Sequence, residues 1–185
     1  MNPEEISNQM IELFFATINR LAPNLEMLFN DSKISFTDAL ADNNLEALKT
    51  NLARIKQALT TTQHNHEHNQ AIAICDMVAN RLEQGLPHAF ILLYLKVFGF
   101  AGLAEPIKNN LLGRLESIGL ELNNIIKKGP LINTLDTSMK NLYSYIKDNL
   151  PDSPARDLLL KLRDNICAAY VDIKTPDKPA KPPRN

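Results

Sequence analysis

Six prolines punctuate this chain, and each stands ahead of a stretch in which apolar residues return every three or four positions: Pro3, Pro23, Pro87, Pro106, Pro130 and Pro154. The first turn of a helix tolerates proline because its amide groups have no partner inside the helix. Ile6, Met10, Phe14, Ile18 and Leu21 make one apolar face, with Asn2 placed to cap it. Leu45, Leu48, Leu52, Ile55 and Leu59 make a second, and Leu111, Leu115, Ile118, Leu122 and Ile125 a third. Ile132, Leu135, Met139, Leu142 and Ile146 repeat the pattern, and Leu159, Leu162, Ile166 and Ala169 close it. A further helix is expected from about Glu67 to Gln84, stopped by Gly85, and another from Pro87 to Phe98 that is apolar nearly all round.

Leucine occurs 28 times and valine three times, a bias that feeds helices and starves a sheet of branched residues. The expected fold is all-α: an up-and-down bundle of about seven long helices around a buried apolar helix at 87–98. Short connections at Gly85-Leu86, Gly129 and Leu150 to Ser153 favour antiparallel neighbours. The stretch from Asn30 to Asn44 reads as irregular, with at most one short helix around Phe36 to Ala41. Twenty asparagines lower helix propensity, so packing must hold much of the structure. Residues 1–173 are expected to form one helical domain, because a chain of this length can bury about 70 % of its unfolded surface without a staple. From Lys174 to Asn185 four prolines and almost no apolar side chains imply a disordered basic tail.

That tail carries a net +3, which leaves −4 on residues 1–173 of a chain whose total is −1. A mildly acidic body lacks the electrostatic footprint for a phosphate backbone, so no nucleic-acid partner is expected. The greasiest run, Ala89 to Ala104, contains Lys96, Gly99 and Gly102 and falls short of the roughly 20 apolar residues that a membrane span needs. Met1-Asn2-Pro3-Glu4-Glu5 is acidic where a secretory leader would be basic. Cys75 and Cys167 lie among apolar neighbours, as reduced thiols do in a reducing compartment. The expected location is cytoplasmic, or a host cytosol if the chain is a delivered effector.

His64, His66 and His68 form the one metal-like cluster, and imidazole suits zinc, nickel and copper. In an extended segment all three rings share a side; in a helix only His64 and His68 do. The spacing departs from the zinc-protease pattern, and Glu67 alone supplies no supporting shell. The plainer reading is a polar loop with solvated rings. No cofactor is expected apart from a divalent transition metal on this trio.

His88 sits at the start of a helix with no nucleophile in view and reads as structural, and Asp76 follows Cys75 at about 100° around the helix, so that pair is not expected to meet. The six glycines, at 85, 99, 102, 113, 119 and 129, form no phosphate-cradling loop, and the serine-hydrolase elbow and calcium-loop patterns do not occur. Gly99 and Gly102 read as a helix end ahead of Pro106.

Within the tail, Pro179, Pro182 and Arg184 have the spacing of a polyproline ligand for Src-homology 3 type domains, whose acidic residues pair with the arginine. The function expected from these residues is a noncatalytic helical interaction module with a protein partner: an adaptor, a chaperone-like subunit or a secreted bacterial effector. The alternative is a metal-binding or enzymatic helical protein whose site includes His64, His66 and His68.

Overall fold

The computed structural model describes residues 1–129 and 134–174, the last four by their backbone alone. Among the described residues the structure is all helical, as the leucine seams predict. Its elements are α1 (Pro3–Leu21), a 3-10 turn (Pro23–Leu25), α2 (Glu26–Ala41), α3 (Leu45–Thr62), α4 (His66–Gln84), α5 (His88–Phe98), α6 (Glu105–Lys128), α7 (Leu135–Asn149) and α8 (Pro154–Lys174). Pro130, Ile132 and the tail motif Pro179, Pro182 and Arg184 lie outside the described residues. The chain divides into two compact units, Met1–Leu95 and Lys96–Asn185.

In the first unit α1 packs on α2 and α4, α2 on α3, and α3 on α4, so four helices close a ring of sequential neighbours. Asn2 opens it with a capping box: its side chain accepts from the Glu5 amide at 2.8 Å while Glu5 Oε1 accepts from the Asn2 amide at 2.9 Å. Ile6, Met10, Phe14, Ile18 and Leu21 are all buried, and so are Leu48, Leu52, Ile55 and Leu59; Leu45 is half-buried. Phe14, Phe15 and Phe36 form a triangle of rings with centroids 4.9, 5.6 and 5.8 Å apart. Such pairs add about 0.5–1.5 kcal/mol each beyond the area they bury.

Of the stretch expected to be irregular, Asn30 to Asn44, the part up to Ala41 is instead the body of α2, a helix of 16 residues, and only Asp42 to Asn44 form the turn before α3. Its inner face is Phe29, Ser32, Phe36 and Ala39, spaced by three and four, but two of those four are small or polar. Met27 and Ile34 face the other way and blur the period. Packing of Phe36 on α1 supplies what propensity lacks. Asparagine also does more than weaken helices here, since Asn44 caps α3 through the Ala47 amide at 3.1 Å and Asn65 caps α4 through the His68 amide at 2.7 Å.

Gly85 ends α4 at φ 79°, where an L side chain would be strained. Its amide and that of Leu86 close on the carbonyls of Leu82 and Arg81 at 3.1 and 3.0 Å. The chain then enters α5, whose Ala89, Phe90, Ile91, Leu92, Leu93 and Leu95 are all buried. This is the behaviour expected of a helix without a polar face. α5 ends at Phe98, and Gly102 turns the chain at φ 81° before Pro106 enters the first turn of α6.

In the second unit α6 packs on α7 and α7 on α8. The seams meet as their spacing predicts: Leu111, Leu115, Ile118, Leu122 and Ile125 are buried, as are Leu135, Met139, Leu142, Ile146, Leu159, Leu162 and Ile166. Ala169, expected to continue the last seam, is exposed, and its single methyl has little burial to contribute. Guanidinium groups stack across the seams, Arg114 on Tyr145 at 4.5 Å and Arg163 on Tyr143 at 4.9 Å. Among the described residues no helix is long and apolar enough to cross a membrane.

Leu92 is fully buried. Leu92→Ala should destabilise the protein by about 2–5 kcal/mol through the cavity it leaves, measured by urea unfolding followed by circular dichroism.

Candidate functional site

The three clustered histidines part company in the structure. His64 lies exposed in the α3–α4 connection and His66 is exposed at the first residue of α4. His68, 1 % exposed, turns its ring inward and its Nδ1 donates to the Leu59 carbonyl at 3.1 Å. A carbonyl only accepts, so this bond places a proton on Nδ1. Leu59 lies in the last turn of α3, where carbonyls have no intrahelical partner, so the ring caps α3. Among the described residues no group of three or more His, Cys, Asp or Glu side chains could hold a metal ion.

A cleft of about 400 Å³ opens in the first unit between the start of α1, the end of α2 and the start of α5. Ile11, Leu40, Ala41 and Pro3 give it apolar walls, and Glu4, Asn8 and Thr37 bring polar groups. Inside it the Ser7 hydroxyl meets His88 Nδ1 at 2.7 Å. The sequence places no nucleophile in view of His88; the structure sets beside it a hydroxyl from a residue 81 positions away. α1 presents Ser7 one turn after its cap, and His88 is the first residue of α5. No local motif signals this pairing. Burial holds the His88 imidazole below its ordinary pKa, which favours the neutral ring at neutral pH.

A second, smaller depression of about 180 Å³ lies along α3 and α4. Lys56 Nζ bridges it to Asp76 at 2.8 Å, a hydrogen bond that raises the lysine pKa. Cys75 also lines this groove but is buried, and desolvation pushes its thiol up to about 12. A thiol held that high is a poor nucleophile. Cys167 is half-buried, and both cysteines are free.

The outward face of α2 carries two exposed apolar side chains, Met27 at 84 % and Ile34 at 67 %. They lie seven residues apart, about 10 Å along the helix. Asp31 and Asp38 interleave with them at spacings of three and four, and both are exposed. Lys33, the one cation in α2, is engaged by Glu12 of α1 at 2.7 Å. The seven-residue spacing off the Phe29 and Phe36 face is a signal that sequence reading passes over when the segment is taken as irregular.

Compared with family models, curated proteins and solved structures, the chain matches none.

Two outcomes follow from these geometries. His68→Ala should cost about 1–3 kcal/mol by orphaning the Leu59 carbonyl, whereas His64→Ala and His66→Ala should each stay within about 0.5 kcal/mol, as read by chemical denaturation. The thiol of Cys75 is protonated more tightly in the folded state than its ordinary value of 9.0 allows. Its contribution to stability is complete below pH 9.0 and is lost as pH rises toward about 12. Cys75→Ala should flatten the alkaline limb of a stability-against-pH curve over that interval.

Proposed function

We propose that this chain is a helical protein–protein interaction module that docks a basic, amphipathic segment of its partner on the outer face of α2. One observation carries the reading: Met27 and Ile34 stand exposed on one helix face, interleaved with Asp31 and Asp38. Apolar anchors at helical spacing are what a partner helix or peptide uses to bury surface. The carboxylates favour lysine or arginine beside those anchors, because the cation of α2 is already engaged by Glu12. An adaptor, a chaperone-like subunit or an effector would each use such a surface. The segment containing Pro179, Pro182 and Arg184 would add a second contact for an Src-homology 3 type domain. The alternative of a metal or enzyme site built on His64, His66 and His68 draws no support from a His68 ring already committed to Leu59.

A displayed library of amphipathic peptides, selected on the full chain, tests this reading. The expected ligands pair apolar anchors with Lys or Arg, bind less tightly as salt rises, and lose about tenfold in affinity or more toward Ile34→Glu. Ligands without a basic bias, or ones that bind Met27→Glu and Ile34→Glu as tightly as the parent, would overturn it.

A further inference from the structure

We propose that Ser7 and His88 form an acyl-transfer pair, in which the Ser7 hydroxyl is the nucleophile and His88 Nδ1 the general base, acting on uncharged short-chain carboxylic esters. The pair lies in the cleft between α1, α2 and α5, and the proposal is independent of the peptide surface on α2.

Three observations point this way. The first is the direction of the hydroxyl. Thr17, Thr37, Thr50, Thr60 and Thr62 each donate to the carbonyl four residues back, the ordinary resting place of a helical hydroxyl. The Ser7 hydroxyl meets an imidazole nitrogen of another helix instead, at 2.7 Å, within the range of a nucleophile and its base. The second is access, since both residues line an open cleft of about 400 Å³ rather than a sealed core. That volume suits a small ligand, and Ile11, Leu40 and Ala41 offer walls for a short acyl chain. The Glu4 carboxylate lining the same cleft disfavours anionic substrates. The third is protonation: burial lowers the His88 pKa and so favours the neutral ring, and in the tautomer that carries its proton on Nε2 the Nδ1 lone pair accepts from the Ser7 hydroxyl.

The reaction balances without a further reagent. As the bond from Ser7 Oγ to the carbonyl carbon forms, the hydroxyl proton passes to His88 Nδ1. The bond to the leaving oxygen then breaks, and the alcohol departs with the proton from Nδ1. Water attacks the acyl-Ser7 carbonyl, gives a proton to Nδ1, and the acid leaves as Oγ takes that proton back. The net change is ester plus water to acid plus alcohol.

The test treats the full chain with a fluorophosphonate and follows p-nitrophenyl butyrate hydrolysis in parallel. The expected result is a phosphonyl adduct mapped by mass spectrometry to Ser7. Hydrolysis should fall by about 100-fold or more in both Ser7→Ala and His88→Gln. Imidazoles alone hydrolyse nitrophenyl esters, so the adduct decides: its absence from Ser7, or a Ser7→Ala variant as active as the parent, overturns the proposal. Should His88→Gln unfold, Ser7→Cys keeps the test open. Alkylation of that thiol by iodoacetamide should outpace alkylation of the native cysteines at neutral pH, and an equal rate overturns the proposal.

Discussion

Each helix of this protein depends on its neighbour. Segments of 11 to 24 residues, of which α6 holds four asparagines, would be marginal as isolated helices in water. What holds them is the removal of leucine, isoleucine and phenylalanine seams from solvent, at roughly 25 cal/mol per Å² of apolar surface buried. In the first unit this requirement closes four helices into a ring. In the second it strings α6, α7 and α8 into consecutive pairs. α2 shows the dependence most plainly: its own sequence argues weakly for a helix, and the contact of Phe36 with Phe14 and Phe15 makes it one.

The helix ends are the other half of the account. A terminal amide or carbonyl shut away from water must find a partner. Asn2, Asn44 and Asn65 accept from amides at the starts of α1, α3 and α4, and Ser153 Oγ does the same for the Arg156 amide of α8 at 3.1 Å. At the other pole Gly85 lets the chain double back at the end of α4, and the imidazole of His68 serves α3. The same residue types that look like liabilities inside a helix therefore fix where helices begin and end.

Much of this was legible in the sequence because it is periodic. Spacings of three and four locate the buried residues of α1, α3, α6 and α7 almost one by one, and the unbroken apolar run after Gly85 marks a buried helix. Two kinds of information are not periodic. Phe29 and Phe36 alternate with Ser32 and Ala39, so the inner face of α2 has too few large side chains to announce itself. Contacts between distant segments leave no trace in spacing at all, which is why Ser7 and His88 meet unannounced. The histidine trio illustrates the converse: three rings adjacent in sequence are sorted by the start of α4 into two that face water and one that faces α3.

That sorting ties the α3–α4 hairpin from two sides. Asn65 secures the incoming helix and His68 the outgoing one, so the turn is clasped from both sides and its geometry does not depend on His64. A side chain relieved of structural duty in this way can be exchanged without loosening the hairpin. It is also where a reporter could be attached by substitution of His64 rather than by insertion, because Asn65 Nδ2 donates to Gln63 Oε1 at 2.7 Å across that position.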